Sequence, residues 1–495
     1  MNSTIVVLPI VLPLSGLAVA LLLRRYRRAQ AAWSLVVLLA GLSVSVSVFR
    51  QVLLSGNPLV FQSGGWPVPA GISFVADPLS SFLVVMSYLV LTAGMLYGLG
   101  SNDQVVTYPV FYPIFLALGT GLVGAMLTGD LFSLFVFSEL LVFSGTILTA
   151  LSDDPLGVEA AYKYFYMSVL ASAFLLLGVG ALYVSYGTLN MADLGLRISS
   201  LTVQPLLPVA IALLLSTFLI KSAVFPFHFW QPDFHTASPT AVSAMLSSIV
   251  VKLGVYGFLR MTTLLFLEQA AWIQALLIVL GVVGVIVGGL GAIGTHNGKR
   301  MLAYSTQAQI GLILIGIGWG TPLSIAAALV FTFNHSLIKA AMLMLVGVVV
   351  SRSPVKDAGF ETIEGLGKSM PVVGALFFIG GLALAGIPPT NGFISKLLLF
   401  ESGAAVGQVG LLILLAAASV LSLIYVMRAF QRVWWTPVHR PEKAKAKGDW
   451  ILAPLLLILT VVILGIWPEP LVAAANQIAI WLADPAGYFM ALKVG

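Results

Sequence analysis

The residues FLIKSAVFPFHFWQPDFH, at positions 218–235, place a cation at the end of a long apolar stretch. Lys221 follows the mostly aliphatic residues 206–220, and Pro226 comes five positions later. Because proline has no amide proton, Pro226 removes the helical hydrogen bond to the residue four positions back, Ser222. Interrupted backbone persists at membrane depth only where it is buried in protein or lines a wet cavity. The stretch therefore predicts a broken helix in which Lys221 reaches water and exchanges protons.

The composition of the chain is that of a membrane protein. Its 495 residues are 59% hydrophobic and 8% charged, whereas an ordinary soluble domain is about 25% charged. Apolar runs of about 18 or more residues recur along the whole length, and each can cross a hydrocarbon core roughly 30 Å thick. The first run lacks the basic start and cleavage site of a signal peptide, so we interpret it as a spanning helix. We predict an all-α polytopic membrane protein in the lipid bilayer.

The chain contains no cysteine. This absence excludes thiolate-held iron–sulfur clusters, covalent c-type haem and disulfides. The net charge of +6 comes from basic residues in short loops, where such residues set membrane topology. No segment combines aromatic and basic residues in the way that suggests nucleic-acid binding. We therefore expect neither a bound cofactor nor a nucleic-acid partner.

Hydropathy predicts about fourteen spanning helices with short connections. They lie near 4–23, 31–54, 75–99, 109–127, 130–150, 158–186, 205–225, 239–260, 271–294, 299–319, 322–350, 371–401, 408–430 and 450–467. The longest connection, 431–449, carries Arg432, Arg440, Lys443, Lys445 and Lys447.

The distribution of Lys and Arg indicates the orientation. Of the 24 such residues, four lie within predicted helices, and with the N-terminus outside sixteen fall on the cytoplasmic side. The four that fall outside are Arg50, Arg197, Arg260 and Lys493. This bias follows the positive-inside rule. We predict a plasma-membrane protein with both termini outside.

Five ionisable residues lie well inside predicted helices: Glu139, Lys221, Lys252, Lys339 and Lys396. Each is costly at membrane depth unless it is paired or hydrated, so a functional role is the default interpretation. A buried carboxylate beside a cationic lysine stays ionised, which makes Lys221 the candidate partner of Glu139. The alternatives are that Glu139 is a helix-terminal acid near an interface and that Lys221 snorkels to the cytoplasmic surface.

Histidines lie near these lysines. His335 precedes Lys339 by four residues and shares its helix face, which favours a proton relay over a packing role. His228, Asp233 and His235 lie at the first break and in the following loop, where proton entry and a hydrogen-bonded loop role are both open. No further ligand cluster accompanies these two histidines, so we predict no metal site.

A second interruption lies in GIPPTNGFISK, where Pro388 and Pro389 precede Lys396. Two interrupted helices at matching places in two halves indicate an internally repeated transporter. Helices 4–8, over residues 109–260, would form one five-helix unit, and helices 9–13, over residues 271–430, would form the second. Because five is odd, the two units must be inverted.

The remaining segments flank the two repeats. Residues 1–108 would contain helices 1–3, and residues 450–495 would contain helix 14 and the C-terminal tail.

Several motifs resemble those of the antiporter-like subunits of respiratory complex I and their relatives. They are the stretch from Lys221 to Lys252, LTGDLFSLFVFSE at 127–139, NGKRMLAYSTQAQIG at 297–311, HSLIKA at 335–340 and GIPPTNGFISK at 386–396. Together with GTLNMADL at 187–194, they look most like the D-type subunits of multi-subunit Mrp-type cation/proton antiporters. FHFWQPDFHTASPTAVSAML, at 227–246, also resembles the related subunit of membrane-bound hydrogenases.

The resemblance implies roles for the buried residues. Glu139 and Lys221 would form the charge pair of a first half-channel, and Lys252 would link that pair to the centre. His335 and Lys339 would continue a hydrated axis, which Lys396 would end.

The implied function is proton translocation beside other membrane subunits, coupled to Na⁺ movement, in a transporter subunit rather than an enzyme. The alternatives are a subunit of a redox-driven pump, hydrogenase-like or complex I-like, and a scaffold whose polar residues only hold helices together.

Overall fold

The helices account for most of the chain. The computed structural model describes residues 3–152, 154–200, 204–437 and 448–492. The first eleven α-helices are α1 (Leu8–Leu22), α2 (Arg27–Ser55), α3 (Pro78–Leu99), α4 (Phe111–Leu127), α5 (Leu131–Ala150), α6 (Pro155–Tyr186), α7 (Met191–Ser200), α8 (Leu207–Lys221), α9 (Trp230–Ala237), α10 (Thr240–Met245) and α11 (Lys252–Arg260).

Ten further α-helices complete the described chain. They are α12 (Ala270–Gly294), α13 (Gly298–Gly318), α14 (Pro322–Ser351), α15 (Phe360–Ile363), α16 (Pro371–Ala385), α17 (Asn391–Ala405), α18 (Val409–Phe430), α19 (Leu452–Ile466), α20 (Glu469–Leu482) and α21 (Ala486–Ala491). A π-helical segment at Leu246–Val250 joins α10 to α11, and another at Met261–Leu265 extends α11, so that Thr240–Leu265 is one helix. A third π-helical segment, Gln431–Trp435, extends α18.

The prediction of an all-α membrane protein is confirmed at this level. In the described residues, ten helices are long and apolar enough to cross a membrane, or up to twelve if each bent pair counts as one span. α4 and α8 are apolar but shorter. A small antiparallel hairpin of β1 (Leu59–Gln62) and β2 (Ser73–Ala76) was not predicted.

The predicted boundaries differ from the structure where helices bend or break. The span predicted at 205–225 ends at Lys221 and resumes as α9, and the span predicted at 371–401 is divided into α16 and α17. The span predicted at 450–467 is followed by α20, which is bent away from α19 by 77°. Hydropathy alone does not locate these interruptions, because the residues on both sides of each one are apolar.

Polar residues set the starts of several helices. Asp130, Asp154 and Asn297 each accept a hydrogen bond from a backbone amide in the first turn of α5, α6 and α13. Such caps satisfy amides that have no partner within the helix. The helices that follow therefore begin at fixed places, which sets the depth of the buried residues that they carry.

Two helices form the centre of the bundle. In α14 and in the helix 240–265, every residue of the 18-residue apolar stretch is buried. α14 packs against α13, α16, α17, α19 and α20. These two helices carry Lys252, His335 and Lys339, so the bundle surrounds the polar groups instead of exposing them to lipid.

Arg260, which the charge count placed on the outside at the end of a predicted helix, is buried within the protein. Its Nη2 atom lies 2.5 Å from Oδ2 of Asp77, and both side chains are almost wholly buried. Its guanidinium lies over the rings of Tyr256 and Tyr488, at 5.0 and 5.2 Å from their centres. Asp77 also accepts a hydrogen bond from the backbone amide of Ser80. The ion pair therefore joins the start of α3, the helix 240–265 and the C-terminal segment.

We expect Arg260→Gln to lower thermal stability strongly. Removing one partner of a buried ion pair leaves an uncompensated charge, at a cost of about 3–5 kcal/mol. The double variant Asp77→Asn/Arg260→Gln should recover part of the loss. The measurement is thermal unfolding of the purified chain in detergent. Lys356→Gln, which removes the exposed Lys356–Asp103 pair, is the control and should cost about 1 kcal/mol or less. Equal melting temperatures for Arg260→Gln and Lys356→Gln would contradict this account.

Candidate functional site

The first broken helix ends at the lysine. Lys221 is the last residue of α8, and α9 begins at Trp230, so the helix is interrupted between these two residues, where Pro226 lies. The amides of Ser222, Ala223 and Val224 bond to the last carbonyls of α8, each at 3.0 Å. The backbone at this break is closed by its own turn, and the ammonium group of Lys221 is not needed there.

Lys221 and Glu139 interact without direct contact. Neither side chain forms an ion pair within 4.0 Å among the described residues, although Glu139 is the acid whose charge acts on Lys221. The Glu139 carboxylate accepts a hydrogen bond from the hydroxyl of Ser172 on α6. Both Glu139 and Lys221 are half-buried. The predicted charge pair is therefore a loose electrostatic pair.

At the second break, the lysine bonds directly to the backbone of the interrupted helix. Lys396 lies on α17, the second half of its broken helix, and its ammonium donates to the carbonyls of Leu384 and Ala385 at 3.0 and 2.9 Å. In an unbroken helix these two carbonyls would accept from residues 388 and 389, which are prolines without an amide proton. The lysine thus replaces the two donors that the prolines remove. A cation at a helix C-terminus is also favoured by the helix dipole.

A glycine makes room for this contact. Gly386 has φ +81°, which side chains rarely adopt, and a Cβ placed there would lie 2.5 Å from Cδ of Lys396. The alkyl part of Lys396 therefore lies directly against the backbone of the break. The Oγ atom of Ser419 accepts a third hydrogen bond from the ammonium, at 3.0 Å.

Lys252 and His335 meet at the centre. The Nζ atom of Lys252 lies 2.7 Å from Nδ1 of His335, and both side chains are buried. At this distance one nitrogen donates a proton and the other accepts it, so the pair holds at most one positive charge. Among the described residues no Asp or Glu forms an ion pair with either one. The contact joins the helix 240–265 to α14.

Lys339 points to another helix. Its ammonium donates to the carbonyl of Leu302 on α13 at 2.9 Å. Thr306, one turn further along α13, bonds to the same carbonyl and to the hydroxyl of Ser247. Lys339 therefore does not contact His335, although the two share a helix face, and the structure places hydroxyl groups beside it.

A small cavity connects the centre to the second break. It is lined by Gln309, His335, Ser395 and Lys396, among other residues, and has room for about one water molecule. Nε2 of His335 has no protein partner. Buried polar groups are normally hydrogen-bonded, so a water in this cavity would connect His335 with Lys396.

The candidate entry residues occupy different environments. Asp233 forms ion pairs with Lys163 at 2.8 Å and with Arg300 at 3.0 Å. These contacts support a structural role for Asp233. His228 is half-buried in the break, and its Nδ1 has no protein partner.

His235 is wholly buried. Its Nδ1 lies 3.2 Å from the hydroxyl of Ser243, and its Nε2 has no protein partner. In the described residues no group of three or more His, Cys, Asp or Glu side chains could hold a metal ion.

A polar chamber beside His235 was not predicted. It has a volume of about 280 Å³, and its charged lining residues are Asp103, Asp154, Lys299, Lys356 and Asp449. Lys299 is buried and donates to the carbonyl of Ser238 at 3.0 Å. The charge count placed Lys299 among the sixteen basic residues of the cytoplasmic side, at the start of the predicted helix 299–319.

Asp449 forms one wall of the chamber. Its carboxylate accepts hydrogen bonds from the Tyr97 hydroxyl at 2.6 Å and the Asn102 amide at 2.8 Å. Burial raises the pKa of Asp449, and these two hydrogen bonds oppose that rise. No signal in the sequence connects residues 97–102 with Asp449, which is more than 340 positions away.

Comparison with known proteins agrees with this geometry. Residues 128–422 match the family model described as the NADH:quinone oxidoreductase/Mrp antiporter transmembrane family. The chain belongs to this family, as the resemblance of its motifs predicted. It is 32% identical, over 99% of both chains, to the D-type subunit of the Na⁺/H⁺ antiporter of Bacillus subtilis.

Two solved structures share the fold over nearly the whole chain. A chain of the Mrp complex from Dietzia sp. has 26% identity and a TM-score of 0.90, covering 99% of this chain and 100% of that one. A chain of the membrane-bound sulfane sulfur reductase, an archaeal respiratory membrane complex, has 28% identity, a TM-score of 0.89 and the same coverage.

Gly386→Ala should impair the site around Lys396 more than it impairs the fold. The added methyl group would collide with the lysine chain, whereas Gly407 has a similar φ of +72° and nothing within 4 Å. Gly407→Ala is therefore a control for backbone strain alone, which costs of the order of 1 kcal/mol. We expect similar melting temperatures for the two variants and a loss of proton flux in vesicles for Gly386→Ala only. Equal flux in both variants would contradict the assignment.

Proposed function

We propose that the chain is the proton-translocating subunit of a multi-subunit Na⁺/H⁺ antiporter. The observation that carries this proposal is a series of buried or half-buried ionisable side chains, five of them basic, that includes the lysines of two broken helices. Its members are Glu139, Lys221, Lys252, His335, Lys339 and Lys396. Ionisable groups at membrane depth mark proton relays when they line a hydrated path. The relatives that are named as D-type subunits of Na⁺/H⁺ antiporters support the same function.

The charge balance of the series supports proton movement along it. Glu139 is the only carboxylate in the proposed series, so an excess proton is stabilised most strongly at the Lys221 end. When the Glu139–Lys221 interaction loosens, Lys221 holds its proton less tightly and passes it toward Lys252. The 2.7 Å contact of Lys252 with His335 provides the next step, because a proton can pass directly between the two nitrogen atoms.

The proton would leave through the second break. Lys396 is solvated by two backbone carbonyls and one hydroxyl, and these neutral acceptors stabilise a cation without neutralising it. Such a site can gain and lose a proton without breaking an ion pair. Pro226 and the pair Pro388–Pro389 produce the interruptions at which these lysines lie.

The polar chamber next to His235 is the favoured entry from the cytoplasm. Lys299 lies at its wall, and Ser238, whose carbonyl Lys299 binds, is three residues from His235. The unpartnered Nε2 of His235 can bind a water that leads inward. His228 lies in the break and is a second candidate, whereas the two ion pairs of Asp233 favour a structural role.

The proposed topology has fourteen crossings and both termini outside the plasma membrane. The ten long helices, α4, the broken spans α8–α9 and α16–α17, and the bent pair α19–α20 give this number. Residues 109–260 and 271–430 would be inverted five-helix repeats, flanked by 1–108 and 450–495. Arg440, Lys443, Lys445, Lys447 and Lys493, which contribute to the charge count, lie outside the described residues.

The subunit would work inside a complex. The solved relatives are parts of multi-subunit membrane complexes, and we propose that this chain likewise contacts other membrane subunits. Proton flux through the series would be coupled to Na⁺ efflux, as the names of the relatives indicate. The subunit would move ions without converting a substrate, so it is a transporter component rather than an enzyme.

A redox-driven pump is the second candidate. The likeness to a chain of an archaeal respiratory complex favours it specifically. Affinity purification of the tagged chain from its native membrane distinguishes the two. Small cation-antiporter subunits in the purified complex support the antiporter, whereas iron–sulfur subunits would support the redox pump.

We expect Glu139→Gln and Lys221→Ala to reduce proton flux by roughly tenfold or more, because a positioned proton-carrying side chain contributes at least this much. The assay uses the assembled complex in vesicles loaded with a pH-sensitive dye. Lys368→Ala, which removes an exposed lysine, is the control and should leave flux unchanged. Normal flux in both test variants, with normal assembly, would refute the proposed roles and favour a structural scaffold.

A further inference from the structure

We infer that the groove between the start of α2, the end of α3 and the start of α4 binds the headgroup of an anionic phospholipid. This groove has a volume of about 660 Å³, and its lining includes Tyr26, Arg27, Arg28, Leu99 and Tyr112. It combines two guanidinium groups with apolar and aromatic side chains. The inference goes beyond proton transport and does not depend on it.

The charged side chains of this region are all basic. Arg24, Arg25, Arg27 and Arg28 lie within five residues, and the sequence contains no Asp or Glu before Asp77. Among the described residues, none of the four arginines forms an ion pair with a carboxylate. The groove therefore carries positive charge that the protein itself does not neutralise.

Two of the arginines lie at a helix start, where positive charge is energetically unfavourable. Arg27 and Arg28 are the first residues of α2, and no side chain caps this helix start. Cations at a helix N-terminus are disfavoured by the helix dipole. A bound phosphate would remove this cost, because it would pair with both guanidinium groups in the bidentate geometry that arginine favours.

The groove is held in shape by the surrounding chain. Gln30 is buried and donates to the carbonyls of Ala20 and Pro109, both at 2.8 Å. These bonds join the end of α1, the start of α2 and the loop before α4. Tyr112, a buried residue at the start of α4, lines the groove together with Arg27. The site is thus largely preformed, which lowers the entropic cost of binding.

A lipid fits this position better than a soluble anion. Among the first spanning helices, α1 and α2 are the least buried. About a third of the residues in the apolar stretch of each are buried within the protein. Leu22 and Tyr26 are 82% and 70% exposed next to the arginines. Basic pockets between spanning helices at a membrane surface are typical sites for anionic headgroups, and the acyl chains would cover the exposed apolar residues.

The experiment is native mass spectrometry of the purified full-length chain titrated with phosphatidylglycerol, phosphatidylcholine or inorganic phosphate. We expect retained phosphatidylglycerol and at least about tenfold weaker binding of phosphatidylcholine, since each basic residue contributes appreciably to anionic-lipid affinity. Inorganic phosphate should not compete at equal concentration. Equal binding of the two lipids, or full competition by phosphate, would overturn the inference.

Double variants distinguish lipid binding in the groove from general attraction to the charged loop. Arg27→Gln/Arg28→Gln should weaken phosphatidylglycerol binding by roughly tenfold or more, whereas Arg24→Gln/Arg25→Gln removes the same charge outside the groove and should change it little. Because these arginines also set topology, Arg27→Lys/Arg28→Lys keeps the charge and should still bind more weakly than the native chain. Equal losses in the two Gln double variants, or native affinity in the Lys variant, would contradict a groove built for phosphate.

Discussion

The structure depends on how backbone carbonyls are satisfied where a spanning helix is interrupted. Pro388 and Pro389 remove the two amides that would bond to Leu384 and Ala385, and the ammonium of Lys396 donates to these same two carbonyls. An unpaired carbonyl in a membrane interior is costly. The lysine that the proposed transport mechanism uses therefore also stabilises the break, and the break supplies the acceptors that let a cation remain inside the bundle.

The backbone carbonyls at the two breaks are hydrogen-bonded in different ways. At the first break a tight turn satisfies the last carbonyls of α8, which leaves Lys221 free to respond to Glu139. At the second break the lysine itself is the donor, and Gly386 provides the space for it. The Glu139–Lys221 end is therefore easier to change than the Lys396 end. In the proposed proton path, this asymmetry would place an adjustable charge pair at one end and a fixed cation site at the other.

Much of this site follows from the sequence, because polar residues inside apolar runs are conspicuous. The lysines, His335 and the two proline breaks stand out for that reason. The sequence could not show which groups meet. Lys252 bonds to His335 across two helices, while Lys339, on the same helix face as His335, bonds to Leu302 instead. The charge count placed Arg260 on the outside and Lys299 on the cytoplasmic side because each lies at the end of a predicted helix, and only the packing of distant segments buries them. The hairpin β1–β2 was missed because each of its strands is only four residues long.

The contact between Lys252 and His335 is the only direct side-chain hydrogen bond between members of the proposed series in the described residues. The most direct test is proton flux through the assembled complex carrying His335→Gln, because glutamine retains hydrogen bonding but does not take up a proton. His296→Gln, at an exposed histidine, is the matched control. The account predicts near-complete loss of flux in His335→Gln, with normal assembly and a normal melting temperature. Native flux in that variant would show that protons do not pass through this contact.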